Sequence, residues 1–442
     1  MCILALDLGT TAFKCAPVTQ DGLSGPVATV SYALNYDAGR VTYAPEGYFQ
    51  AALQALEGAA RAARDAGLAI EAIGISSQAQ TYIPLDQTGR PLQDAVVWTD
   101  GRAVDEAAEV ARAIPDFAAH SGFRAPLPEM FLPKVMHYAR HGGAPLDRVW
   151  KFLLLNEYIV YRLTGEAYGD ETNQGMSGFY DITRRRVSPA ALGLAGIGAG
   201  QLADIGPGGR RGAPLRPEIA GQLGLPRAPV CSCGNDQSAA AAGAGLRGEG
   251  DVLCNFGTAM VVYALKDALP GALRDKQIAG ISPWTGRYFL LGVESECGNV
   301  LDWARAMFYR DRSFEDMLRE ASAEPGAGPC PRVSLPGGGR VELDGLTLAS
   351  EPRHAVLALL RHYAGVFGGL LDGVAGGTGA RLFAAGGLSR SQDWLTYLGR
   401  SVGVAFARAP AAQPGLVGVA RIIQSANHPK LETVWQSIDS ST

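Results

Sequence analysis

Apolar positions along this chain alternate between strand-like runs and helix-like spacing, and the alternation occurs twice. Ile3 to Leu8 is apolar except for Asp7, breaks at Gly9-Thr10-Thr11, and resumes as Phe13 to Thr19 before Asp21-Gly22. This predicts a buried strand, a tight turn and a return strand. Pro45 to Ala66 then carries Phe49, Leu53, Leu56 and Ala60 on one face, with Pro45 at its start and Gly67 after its end, which predicts an amphipathic helix. Ala72 to Ser76 reads as a strand followed by polar residues Ser77 to Thr81, and Ala95 to Trp98 as another. Residues 103–183 read as mostly helical, with Phe152 to Leu163 the strongest helix and Thr164-Gly165 its stop. Residues 188–228, rich in Gly and Pro, read as irregular.

The second half repeats the plan. Val230 leads through Cys233-Gly234-Asn235-Asp236-Gln237 into a small-residue helix, Ser238 to Ala244. Asp251 to Asn255 is a strand, Phe256-Gly257-Thr258 a turn, and Val261 to Ala264 a return strand. Helices are expected over Gly298 to Phe308 and Glu351 to Asp372, and a strand over Leu382 to Ala385 before Gly386-Gly387 and Ser391. The fold class is therefore α/β, with one strand–Gly-Thr–strand hairpin in each half.

The hairpins carry the chemistry. The first aims a carboxylate (Asp7), two hydroxyls (Thr10, Thr11), free backbone N–H groups around Gly9 and the ammonium of Lys14 at one point. Such groups suit a metal-chelated polyphosphate, the N–H groups and lysine meeting phosphate oxygens and the acid orienting the cation. A second hairpin, at Gly257-Thr258, is what two lobes closing on one nucleotide require. For Asp236, just before a helix, the structural alternative is an N-cap.

Composition narrows the partners. The 442 residues suffice for two sizeable cores, and 47% hydrophobic with 19% charged residues is ordinary for a globular protein. A net charge of −4 gives no electrostatic reason to expect nucleic acid or an anionic membrane. Without a basic n-region or a long apolar run, the expected location is cytoplasmic. Seven scattered cysteines suggest reduced thiols, and Cys231, Cys233 and Cys254 lack zinc-site spacing. No HExxH, Walker A or GxSxG sequence is present.

These fragments, in this order, resemble the FGGY family of carbohydrate kinases, within the sugar kinase, Hsp70 and actin superfamily. Asp7-Leu8-Gly9-Thr10-Thr11 with Lys14 is similar to the family's first phosphate motif and Phe256-Gly257-Thr258 to its second. Val97-Trp98-Thr99-Asp100-Gly101-Arg102 is similar to its W-x-D-x-R segment, and Leu155 through Gly165 to Asp170 to the middle of its first domain. Gly234-Asn235-Asp236-Gln237 resembles the segment of its catalytic aspartate; Gly298 to Trp303, including Asp302, and Gly386-Gly387 with Ser391 resemble its adenosine side. The resemblance implies two ribonuclease-H-like (actin-like ATPase) lobes with an interdomain active-site cleft. Residues 1–246 would form a mainly sugar-binding lobe and 247–442 a mainly ATP-binding lobe.

The implied reaction moves the γ-phosphoryl group of ATP to a hydroxyl of a neutral sugar or polyol, a ketose such as xylulose being favoured. Asp236 would take the hydroxyl proton, and Asp7 with Asp236 would position Mg²⁺ directly or through water. The phosphates would meet Gly9, Thr10, Thr11, Lys14, Gly257 and Thr258. The sugar would meet Gln78, Gln80, Trp98, Asp100, Asp236 and Gln237, although Gln78 is followed by Ala79-Gln80 rather than the Met-His of xylulose kinases or the Arg-Glu of glycerol kinases. Sugar and ATP or ADP are the expected partners, with a homodimer allowed. A non-catalytic sugar or nucleotide sensor and a different ATPase of the superfamily are the competing classes.

Overall fold

The computed structural model describes residues 2–142, 144–210, 212–323, 331–337, 339–376 and 379–427. Its first sheet is centred on β1 (Cys2–Leu8), which pairs antiparallel with β2 (Ala12–Thr19). Strand β3 (Ala28–Ser31) pairs antiparallel with β2. After helix α1 (Pro45–Asp65), strand β4 (Ile70–Ser77) runs parallel to β1. After helix α2 (Leu155–Thr164), strand β5 (Pro229–Asn235) runs parallel to β4 and leads directly into α3 (Asp236–Gly243).

The second sheet repeats this order. Strand β6 (Asp251–Phe256) pairs antiparallel with β7 (Met260–Lys266), which pairs antiparallel with β8 (Tyr288–Glu294). Helices α4 (Gly298–Phe308) and α5 (Pro352–Ala375) follow; β9 (Arg381–Ala385) is then parallel to β6 and β10 (Phe406–Arg408) parallel to β9. Three antiparallel strands followed by two parallel ones is the ribonuclease-H-like order, found here twice.

The two-residue period of β1 sorts its side chains. Leu4, Leu6 and Leu8 bury against Tyr48, Phe49, Leu53 and Leu56 of α1. Ile3 and Ala5 face the other way, into a core with Leu416, Val419, Ile422 and Ile423 of the last helix, α6 (Pro414–Asn427). Asp7 belongs to this second face by register, and a Cβ placed on Gly415 would lie 3.7 Å from its Oδ2. The start of α6 thus meets Asp7, although a division after residue 246 assigns that helix to the second lobe. Helix α5 is long and apolar enough to cross a membrane by length and composition. Its apolar face, including Leu359, Leu360, Tyr363 and Phe367, is instead buried with Val252, Cys254 and Phe256 in the core of the second lobe.

Several sequence expectations change. Val149–Leu154 is a strand and only Leu155–Thr164 is helix, because a short apolar run fits both periods. The break falls at Leu154, whose N–H donates to Glu157 Oε2 at 2.8 Å. Residues 188–228 hold two short helices, Pro189–Ala195 and Pro217–Leu223, each starting at Pro and closed by a left-handed Gly. The six described cysteines are free and buried.

Candidate active site

The first hairpin holds Asp7 between a hydroxyl and a cation by register alone. Asp7 lies opposite Ser76 on β4 and Lys14 on β2, and its Oδ1 accepts from Ser76 Oγ at 2.9 Å. Burial pushes the Asp7 carboxyl above the usual range, against the opposing pull of Ser76 and Lys14. The turn is fixed from two sides. Tyr32 Oη donates to the Gly9 carbonyl at 2.5 Å, and Trp98 Nε1 donates to Thr10 Oγ1 at 2.9 Å. Thr11 is exposed.

The second hairpin rests on the start of α4. Gly298 N–H donates to the carbonyls of Gly257 and Thr258, both at 3.1 Å, and Cys297 N–H donates to Thr258 at 2.8 Å. Gly386 follows β9 with φ +88°, and a Cβ there would collide with the Phe256 carbonyl, so only glycine lets the two turns lie together. Asn255 stands in this hairpin where Asp7 stands in the first, two residues before the Gly. Its Nδ2 donates to Gln237 Oε1 at 3.0 Å, a bond that ties the second sheet to α3. Asp302 is exposed on α4. Ser391 is different: its buried Oγ accepts from Trp394 N–H at 3.3 Å and caps the helix Gln392–Val402. Its hydroxyl caps that helix.

Asp236 opens α3 but does not cap it. The cap is Asn235, whose Oδ1 accepts from Ser238 N–H at 2.7 Å, and the Asp236 carboxylate bonds to Gln237. Burial first, and the nearby Asp7 charge second, raise its pKa to about 7. An aspartate so placed is matched to proton transfer near neutral pH. Behind it, buried Asp170 accepts from Ser232 Oγ at 2.5 Å, Asn173 N–H at 2.8 Å and Gly234 N–H at 3.2 Å. Asp170 therefore fixes the backbone that presents Asp236. The donor set fits a magnesium nucleotide. Two mutually repelling carboxylates supply hard oxygen ligands that a divalent cation would reconcile, and the turns supply N–H groups for phosphate.

The expected sugar-side residues divide. Gln78 is buried beside the first turn, its Nε2 3.4 Å from Tyr32 Oη and 3.5 Å from the Gly9 carbonyl. Trp98 keeps 39% of its surface exposed while its N–H is used on Thr10. Gln80 and Asp100, expected at the sugar, are bonded within the protein. Gln80 Nε2 donates to the Met176 carbonyl and its Oε1 accepts from Phe131 N–H at 2.8 Å. Asp100 is fully buried and accepts four bonds, from Val41 N–H (2.6 Å) and from Arg102 N–H (3.2 Å), Nε (2.7 Å) and Nη2 (2.6 Å). No lone pair is left for a sugar. Gln237 is likewise engaged, between Asn255 and Asp236. Sequence reasoning missed Ser76, Tyr32 and Asn255; aligning the two hairpins would have exposed Asn255. It also missed Lys134, whose buried Nζ donates to the carbonyls of Gln80 (2.9 Å) and Val97 (3.0 Å).

A model of the N-terminal domain of the FGGY family of carbohydrate kinases matches residues 2–243. A xylulose kinase of Bacillus subtilis is 25% identical over 325 residues, which take in 73% of this chain. The chain spans 65% of the length of that relative. A solved xylulose kinase of Lactobacillus acidophilus superposes with a TM-score of 0.87 at 19% identity, covering 96% of this chain and 89% of the other. Plasmodium falciparum glycerol kinase with ADP gives 0.84 at 18% identity, covering 99% and 91%. These superpositions establish the fold as two actin-like ATPase lobes. With more than half of its residues matched by the family model, the chain belongs to the FGGY family of carbohydrate kinases.

Proposed function

We propose that this protein is an ATP-dependent kinase that phosphorylates a hydroxyl of a neutral sugar or polyol, with a ketose of the xylulose type favoured. The observation that carries the reading is Asp236: uncapped at the start of α3, raised toward neutrality, and beside Asp7. Asp236 takes the proton from the acceptor hydroxyl as its oxygen attacks the γ-phosphorus in line, and ADP leaves with the electron pair of the broken P–O bond. Lys14, Thr10 and Thr11, with Gly257 and Thr258 opposite, stabilise charge on the phosphates. Asp7 and Asp236 would hold Mg²⁺, which supplies charge neutralisation when bound. The preference for a ketose is supported by the xylulose kinases among the relatives. The proposed lobes keep the division after residue 246, with α6 of the second packed on the first.

A coupled ADP-release assay over ketoses, aldoses and polyols tests the reading. Sugar-stimulated ADP release is expected; nucleotide binding without any sugar-dependent turnover would favour the sensor.

The acid limb of kcat/KM follows Asp236. The ionised form is the active one, so the rate rises about tenfold per pH unit below about 7 and levels off above it. A flat profile from pH 5.5 to 8 would remove Asp236 as the base. Trp98→Phe keeps an aromatic ring and removes the indole N–H that holds Thr10. Steady-state kinetics should show KM for ATP raised about 2- to 10-fold with kcat nearly constant, and an unchanged KM would show that this bond does not support the turn.

A further inference from the structure

Helices Val104–Ala113 and Phe131–His141 pack side by side and bring together three metal-ligand side chains that phosphoryl transfer does not use. Glu106 comes from the first; His137 and His141 come from the second. The four-residue spacing places both imidazoles on one helix face, their ring centroids 4.6 Å apart. Glu106 Oε2 lies 3.4 Å from His137 Nδ1, and Glu106 Oε1 lies 3.9 Å from His141 Nε2. One ligand atom from each of the three falls within 4.8 Å of the others. The Glu106 side chain is 3% exposed and that of His141 is 61% exposed, so the carboxylate is fixed while the rim stays open.

We propose that Glu106, His137 and His141 form a site for one divalent transition-metal ion of the zinc class, separate from the nucleotide centre. Two imidazoles and a carboxylate suit zinc, whereas Mg²⁺ prefers oxygen ligands and retained waters. Tetrahedral zinc places donors about 3.3 Å apart, so these must draw in by less than about 1.5 Å, with water as the fourth ligand. Arg140 is the competing cation, its Nη1 3.6 Å from Glu106 Oε1. Its Nη2 is already bonded to Glu109 at 2.7 Å, which leaves it a resting place when the ion takes Glu106. The helix that carries both histidines also holds Gln80, through Phe131 N–H and Lys134 Nζ. A bound ion would brace the wall of the sugar side.

The test uses untagged full-length protein stripped of metal by chelator, titrated with zinc chloride by calorimetry and followed by thermal unfolding with and without zinc. Wild type should take up one ion per chain in a saturable step that excess Mg²⁺ does not suppress, and its melting temperature should rise with zinc. His141→Ala, at an exposed position, should fold normally and lose about 10-fold or more in affinity, together with the thermal shift. Absence of saturable zinc uptake by wild type, or equal affinity in His141→Ala, would overturn the proposal and leave the cluster as an ion-pair network.

Discussion

Asp236→Asn lowers turnover about 10²- to 10⁴-fold while ATP still binds, because the variant keeps the shape of the site and loses only the proton acceptor. The same substitution should make the protein more stable at pH 8. Asp236 has a folded pKa of about 7, above its unfolded value, so the folded state binds more protons between the two values. Its contribution is therefore most favourable at low pH and is lost as the pH rises through about 7. Asparagine carries no charge and escapes that penalty. Turnover and thermal unfolding, measured on one preparation at pH 8, separate the roles. Slow turnover with a raised melting temperature marks a chemical group, whereas slow turnover with a lowered one marks a structural group.

Gly418→Val should reduce stability by about 2–4 kcal/mol, read as a fall in the urea midpoint at unchanged slope. Helices α3 and α6 touch backbone to backbone at this point. A Cβ on Gly418 would overlap the Ala239 carbonyl oxygen, and one on Gly243 would overlap that of Pro414. The carbonyls cannot yield, because Ala239 lies in the run that starts at Asp236, and the segment from Pro414 to Gly415 abuts Asp7. The crossing therefore sets the packing of the first sheet on its last helix. Activity should fall with stability. An unchanged midpoint would mean that the helices are not in contact.

What was legible in the sequence was local. A hairpin places Asp7, Gly9, Thr10 and Lys14 within a few residues, so pattern alone brings them together, and the recurrence at Gly257-Thr258 pointed to two lobes. Asp236 was legible as a position but not as a free carboxylate, because nothing in Asn235-Asp236 tells which side chain folds back to cap the helix. Distant partners were not legible. Asp100 is satisfied in part by Val41 and Gln80 by Phe131 and Met176, residues far away in the chain that only the fold delivers. Ser391 read as a nucleotide ligand after Gly386-Gly387, yet its spacing to Trp394 is equally that of an N-cap. The apolar face of α6 gave no sign of which sheet it would cover.

A crystal structure with a sugar identified by the turnover panel and a non-hydrolysable ATP analogue examines the centre of this account most directly. The acceptor hydroxyl should lie about 2.6–3.2 Å from an Asp236 carboxylate oxygen, with the γ-phosphate reached by both the Gly9-Thr10 and Gly257-Thr258 turns. A complex in which the hydroxyl faces another base, or in which only one turn meets the triphosphate, would contradict it.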